Sequence, residues 1–213
     1  MINKVLDFLF PPICGICEKQ EKNWICEECL ESLEINLKRI KNKDIYYLVN
    51  YKDRIRKLIL DFKFNDKAYL YKTFSSIILK NKKLCKILNS YDIIIPVPMY
   101  YKKKNTRGYN QTELIAKEIS KKINIEFFNN CLIKIRDNNM QSTLSYYERM
   151  NNVKNTFKVD EYSKEKIIDK KIILLDDIYT TGFTIEECKK ELKKYMPKKV
   201  TTLVLAKGKI ERR

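Results

Sequence analysis

Two hydrophobic rhythms divide the chain. Between Tyr51 and Asn89 apolar residues recur at helical spacing: Ile55, Leu58, Ile59 and Phe62 fall on one face, and Leu70, Phe74, Ile77 and Ile78 on another. From Tyr91 the texture changes. Asp92-Ile-Ile-Ile-Pro-Val-Pro98 is a short apolar run stopped by proline, the pattern of a buried strand entering a loop. Asn110–Ile123 predicts a helix, with Asn110 and Glu113 at capping-box spacing and Leu114, Ile115, Ile119 and Ile123 along one face. Lys171–Leu175 predicts a second strand. Thr184–Met196 predicts a helix with a T-x-x-E box at Thr184 and Glu187 and a core face of Ile185, Cys188, Leu192 and Tyr195. Lys199–Ala206 predicts a third strand. Strands alternating with helices mean βαβ units and a mainly parallel sheet flanked by helices, an α/β fold. Upstream, residues 1–12 read as a short lead-in helix ending at Pro11-Pro12. Glu31–Asn50 is a charged stretch, amphipathic around Leu33, Ile35 and Leu37.

The length of 213 residues fits one ordinary domain plus a small module. We place the module at residues 1–45 and the α/β domain at 46–213. Lys and Arg number 44 against 27 Asp and Glu, a net charge of +17. Such an excess points to a polyanionic partner: nucleic acid, a phosphorylated metabolite or an acidic membrane surface. The competing explanation is compositional drift in a Lys-, Ile- and Asn-rich genome. Histidine is absent, which removes histidine bases and histidine metal ligands. The only glycines are Gly15, Gly108, Gly182 and Gly208, so neither a G-x-x-x-x-G-K loop nor a G-x-G-x-x-G fingerprint can be assembled. No run approaches the roughly 20 apolar residues of a membrane span. The first ten residues contain Asp7 and lack a small-residue cleavage site. The expectation is therefore a cytoplasmic protein with reduced thiols, whose seven cysteines are metal ligands or buried apolar groups.

Four of those cysteines form two C-x-x-C pairs, Cys14-Gly-Ile-Cys17 and Cys26-Glu-Glu-Cys29. The spacing suits four thiolates around Zn²⁺, with Gly15 permitting a tight turn inside the first pair. A site filled by four protein ligands is closed and structural. Within Ile13–Leu30 two lysines face four glutamates, a net −2 before the thiolates are counted. This knot is a fold staple or a protein-docking module, and a poor phosphate binder. Trp24 is expected to cover it.

The stretch from Ile172 to Thr184 carries the ligand chemistry. A buried strand ends in Asp176 and Asp177, and a turn containing Thr180, Thr181 and Gly182 opens a helix at Thr184. Ligands of open α/β sheets sit outside the carboxyl ends of the strands, and helix N-termini attract phosphate. The threonine hydroxyls add donors, and Gly182 lets the backbone come close. Two acids beside an anion site are repulsive unless they accept from sugar hydroxyls or face a metal. A phosphorylated sugar meets both demands.

Residues 172–184 resemble the motif by which type I phosphoribosyltransferases bind 5-phosphoribosyl 1-pyrophosphate (PRPP): an apolar strand, two acids and T-T-G-x-T. The likeness extends to Pro96-Val97-Pro98, to Arg107-Gly-Tyr-Asn-Gln111, and to Arg136, Gln141, Leu144, Ser145, Arg149, Asn152 and Phe157. With the four cysteines, this combination is similar to the ComF family of DNA-uptake proteins over essentially the whole chain. The resemblance implies a type I phosphoribosyltransferase-like fold with a small N-terminal zinc-binding module, Mg²⁺ accompanying PRPP, and handling of single-stranded DNA during transformation. It places the protein in the cytoplasm or peripherally at the inner face of the membrane, beside a helicase-like or membrane uptake partner. It implies that Asp176 and Asp177 hold ribose hydroxyls and that Thr180, Thr181, Gly182 and Thr184 hold the 5′-phosphate. Val97 and Pro98 would face pyrophosphate with Arg107 nearby, and Arg136 and Gln141 would belong to a mobile covering loop. Phe183 stands where the family usually has a smaller residue, which narrows the space for a base.

For single-stranded DNA, Lys102, Lys103, Lys104 and Arg107 offer phosphate contacts, interleaved with the aromatic rings of Tyr100, Tyr101 and Tyr109. The competing reading is a solvated loop in which Tyr109 packs inward. Lys52, Arg54, Arg56, Lys57 and Lys63 offer a second basic face. An active phosphoribosyltransferase with Arg107 and Arg136 stabilising departing pyrophosphate, and a PRPP-sensing adaptor docking a partner through the knot, are the two alternatives.

Overall fold

The structure, a computed structural model, describes residues 11–137 and 146–208. The predicted lead-in helix of residues 1–10, together with Gln141, Leu144, Ser145 and the side chain of Arg149, lies outside the described residues. Among the described residues eight α-helices follow in chain order: α1 (Glu27–Ser32), α2 (Asp53–Phe64), α3 (Leu70–Lys80), α4 (Lys82–Leu88), α5 (Tyr101–Arg107), α6 (Gln111–Ile123), α7 (Tyr146–Val153) and α8 (Phe183–Lys193). The strands are β1 (Lys38–Arg39), β2 (Ile45–Asn50), β3 (Ile93–Pro96), β4 (Glu126–Phe127), β5 (Leu132–Lys134), β6 (Phe157–Val159), β7 (Lys171–Tyr179) and β8 (Lys199–Lys207).

Six strands form one sheet in the order β1-β2-β8-β7-β3-β4, all parallel except the β1–β2 edge pair. The central strands β7 and β8 are buried on both faces, as their continuous apolar runs require. One face of the sheet packs on α2, α3, α4 and α6 through Phe62, Phe74, Ile78, Ile115 and Ile119. The other packs on α8 and on the separate antiparallel pair β5–β6 through Ile185, Cys188, Leu192, Leu132 and Phe157. The predicted strands and helices of the α/β body are thus present. The stretch 31–50 differs: it contains β2, which pairs in parallel with β8. Its buried Ile45, Leu48 and Val49 face both sides of the sheet between half-buried Tyr46 and Tyr47, so neither a clean alternation nor an apolar run marks it.

Two predicted caps form differently. Asn110 does cap α6, accepting from the Thr112 N–H at 3.2 Å. Glu113 does not close the box; its carboxylate takes Lys104 at 2.7 Å and Asn129 at 3.0 Å. At α8 the N-cap is Gly182 in the left-handed conformation, φ +86°, with no side-chain cap. Glu187 instead accepts from the Asn155 N–H at 3.0 Å.

The cysteine knot is continuous with the main core. Cys14, Ile25, Cys29 and Leu33 join the same apolar cluster as Leu70 and Phe74. Gly15 has no positive φ, so the turn does not demand it. Space does: a Cβ there would lie 2.3 Å from Thr73 Oγ1 and 2.7 Å from Leu70 Cδ2. Thr73 Oγ1 donates to the Trp24 carbonyl at 2.9 Å, and the Gly15 N–H donates to the same oxygen at 3.1 Å. Helix α3 thereby holds the knot directly.

Candidate functional site

Strand β7 runs four residues past the expected end at Leu175, so Asp176 and Asp177 are still within the strand as it nears the carboxyl edge of the sheet. The chain then turns through Thr180 and Thr181 into Gly182. That glycine is required twice. Its φ of +86° disfavours any L side chain, and a Cβ would stand 2.7 Å from the ring of buried Tyr179. The turn delivers the first residues of α8 to a cavity of about 920 Å³.

The cavity is lined by Asp176, Asp177, Thr180, Thr181, Gly182 and Thr184 from this segment, and by Val97 and Pro98 from the loop after β3. Lys102, Lys103 and Arg107 reach it from α5, Lys63 from the end of α2, and Lys134 from β5. Five elements thus converge on one opening. The loop after β3 is fixed from below. The Val97 N–H donates to the Leu175 carbonyl at 2.8 Å, while the Val97 carbonyl accepts from Asn110 Nδ2 at 3.1 Å and Thr112 Oγ1 at 2.9 Å.

Two neighbouring acids line the cavity. Asp176 is half-buried on the cavity wall. Burial first, and then the charge of Asp177, push its carboxyl up to about 7. The Asp177 N–H donates to Asp176 Oδ1 at 2.8 Å, which partly offsets this. Asp177 has a direct counter-ion: Lys63 Nζ is 2.6 Å from its Oδ2, with both side chains largely buried. Lys134 is lowered, mainly by burial and then by Lys103, and its charge in turn favours ionised Asp176. Burial also lowers Arg107, against the pull of Asp177.

Other residues singled out from the sequence are placed elsewhere. Arg136 is exposed, donates to the Lys154 carbonyl and is not part of the cavity wall. Lys104 pairs with Glu113 away from the cavity, while Lys103 pairs with Asp137 at 2.7 Å on its wall. Tyr109 packs inward: its ring stacks on Phe62 with centroids 5.6 Å apart, and its hydroxyl donates to the Phe62 carbonyl at 2.6 Å. The basic run 102–104 lies in helix α5, closed by Gly108 in the left-handed conformation, and not in a loop. Sequence reasoning put Lys63 on a separate basic face and did not single out Lys134. Neither lies in a recognisable motif; their place depends on how α2 and the β5–β6 hairpin fold over the sheet.

The four knot sulfurs all lie within 4.8 Å of one another, with Cys17 Sγ and Cys26 Sγ 3.8 Å apart. Tetrahedral thiolate ligands about 2.3 Å from a zinc ion stand about 3.8 Å apart, so the four fit one metal ion such as zinc. Burial and the neighbouring sulfurs raise Cys29. Burial also opposes ionisation of Cys14, but the N–H groups of Cys17, Cys26 and Ile16 outweigh it and bring that thiol down to about 7. Trp24 is partly covered by Lys72, whose Nζ lies 3.9 Å from its ring centroid.

A mainly parallel sheet, a strand carrying two acids near its carboxyl end and a threonine–glycine turn opening a helix are features of the phosphoribosyltransferase class of fold. The phosphoribosyl transferase domain family model matches residues 112–213. Competence protein F of Haemophilus influenzae is 28% identical over 208 residues, covering 92% of this chain and 90% of its own. Competence protein ComFC of Streptococcus pneumoniae is 26% identical, covering 91% and 80%. Among solved structures, the purine phosphoribosyltransferase of Pyrococcus horikoshii aligns at a TM-score of 0.43 and 16% identity, over 77% of this chain and 79% of that one. The chain is a homologue of the competence protein F and ComFC proteins, and the body of its fold is of the phosphoribosyltransferase type. Among the described residues no helix is long and apolar enough to cross a membrane.

The buried acid pair generates a pH prediction. Folded Asp176 holds its proton to about pH 7, whereas in the unfolded chain it ionises near pH 4. Between those limits the folded state binds more protons, so this group's contribution to stability falls as pH rises. Asp176→Asn is expected to raise Tm by about 2–6 °C at pH 8 and to change it little at pH 4. Thermal unfolding of both proteins across that range measures it, and a difference independent of pH would contradict it.

Proposed function

We propose that the cavity binds PRPP or a closely related ribose 5-phosphate compound, and that the protein uses this domain while handling single-stranded DNA on the cytoplasmic side during uptake. The observation that carries the reading is the segment Asp176–Thr184 opening on a cavity that Lys63, Lys102, Lys103, Arg107 and Lys134 also line. A sugar phosphate needs hydroxyl acceptors and anion donors side by side. Asp176 and Asp177 supply the first; Thr180, Thr181, Thr184 and the N–H groups at the start of α8 supply the second. Lys102, Lys103 and Arg107 line the same cavity with Val97 and Pro98, and would take the pyrophosphate of PRPP.

The carboxylate oxygens of Asp176 and Asp177 form a hard donor set that fits Mg²⁺. Such an ion, bound with the ligand, would neutralise pyrophosphate charge and ease its departure. What the chain itself does is separate from that. Its acids orient the ribose, its threonines fix the 5′-phosphate, and its fixed cations stabilise the negative charge that builds on the departing pyrophosphate. The same arrangement serves phosphoribosyl transfer if an acceptor base reaches the cavity. At the knot, Zn²⁺ on Cys14, Cys17, Cys26 and Cys29 would be structural, since four protein ligands leave no open position. The module of residues 1–45 then acts through the contacts it makes with α3, or by docking a helicase-like partner of the uptake machinery.

For DNA, the net charge of +17 supplies the long-range attraction. Helix α5 presents Lys102 and the exposed ring of Tyr101, which lies against Tyr100 with centroids 4.6 Å apart.

Titration calorimetry with PRPP and Mg²⁺ is expected to show one site per chain. Asp177→Ala and Thr181→Val should each weaken it by about 10- to 100-fold, the usual worth of a hydrogen bond to a charged group. Binding unchanged in both variants would overturn the ligand assignment. Filter binding of oligothymidylate over a salt series should show affinity falling steeply with salt, and Lys102→Ala should reduce the slope by about one. No affinity at low salt would overturn the DNA reading.

A further inference from the structure

Helix α2 buries Ile55, Leu58, Ile59 and Phe62 on one face. Phe64, its last residue, lies about 200° further round the helix from Phe62. It is 68% exposed, the only phenylalanine among the exposed large apolar side chains of the described residues. A single exposed aromatic ring needs no explanation by itself. This one has four features that packing does not account for. It lines the cavity. The Arg107 guanidinium carbon stands 5.3 Å over its ring. Its sequence neighbour Lys63 holds Asp177 at 2.6 Å, and Asp177 lines the same cavity as the ring. And the turn carrying it is pinned on every side. The Phe62 carbonyl accepts from Tyr109 Oη at 2.6 Å and Gln111 Nε2 at 3.3 Å; Asn65 Nδ2 donates to Asp61 at 2.8 Å; Lys67 bridges Asp61 and Glu18. The ring is presented on a rigid support.

We propose that Phe64, with Arg107 above it, is a stacking platform for a nucleobase at the rim of the cavity. Every base has a π-face, so an aromatic ring flanked by a guanidinium takes bases with little regard to sequence. The register follows from the chain. A base on Phe64 places its sugar toward Asp177 and its phosphate toward the Thr180–Thr184 turn or the lysines of α5. This assignment extends the proposed ribose-phosphate site and uses its orientation. The platform comes from residue 64 in the N-terminal helical layer, outside the stretch 112–213 that matches the phosphoribosyl transferase domain model. The base could belong to a mononucleotide or to a DNA strand threading the cavity mouth.

The test compares wild type, Phe64→Ala and Phe64→Trp for binding of three probes: adenosine 5′-monophosphate, a twelve-residue oligothymidylate, and PRPP with Mg²⁺, which carries no base. Loss of stacking is worth about 5- to 100-fold per base. Phe64→Ala is expected to weaken one or both base-bearing probes by that factor, to leave PRPP within about twofold, and to melt as wild type does; Phe64→Trp is expected to restore binding. Weakening of the mononucleotide alone identifies a nucleotide site, and weakening of the oligonucleotide alone identifies a strand-threading site. Base-bearing probes bound equally by wild type and Phe64→Ala, or not bound by wild type, overturn the platform. So does a parallel loss of PRPP, which marks a structural role. Wild type that fails to bind PRPP overturns the ribose-phosphate reading instead, while the two base-bearing arms still decide the platform.

Discussion

Two carboxylates placed side by side at the end of a buried strand repel each other, and much of this molecule answers that repulsion. Asp176 and Asp177 enter the cavity from β7 with their backbone still in the sheet. Burial drives Asp176 toward its protonated form, and Asp177 is stabilised by Lys63 from a helix more than a hundred residues earlier. Lys134 approaches from the β5–β6 hairpin and Arg107 from α5. None of these cations belongs to the strand it serves. The helical layer α2–α5 is therefore a working wall of the site as well as a cover for the sheet.

The same layer carries the cysteine knot. Gly15 fits against Thr73 and Leu70 only because it lacks a side chain, and the Trp24 carbonyl collects donors from both the knot and α3. A metal ion held by the four sulfurs would fix the loop that rests on α3. Helix α3 packs beside α2, whose last turn delivers Lys63 to Asp177. The knot and the cavity are in this way mechanically adjacent though chemically distinct: one is acidic and closed, the other cationic and open.

Much of this was legible in the sequence, for definite reasons. The strands at 93–96, 171–179 and 199–207 announce themselves because both faces are buried, so their apolar runs are continuous. The cysteine spacing and the D-D-I-Y-T-T-G turn each combine several requirements over few residues. What stayed hidden depends on long-range packing. Strand β2 mixes tyrosines with aliphatic residues and sits beside charged neighbours. The box residues Glu113 and Glu187 have partners on other elements that compete with the local N–H groups. Tyr109 and Asn110, adjoining Arg107 in sequence, serve to pin the α2 terminus and the Val97 loop. Lys63 and Lys134 look like any other lysines in a lysine-rich chain until the fold brings them to the acids.

The central claim is that the acid pair and the threonine turn form one ribose-phosphate site. A crystal structure of the protein soaked with PRPP and Mg²⁺ tests it most directly. The expected result is a ribose with hydroxyls on Asp176 and Asp177, its 5′-phosphate at Thr181, and the Lys63–Asp177 contact broken or shared. Density for the ligand elsewhere, or an empty cavity with the Lys63–Asp177 pair intact at saturating ligand, would contradict it.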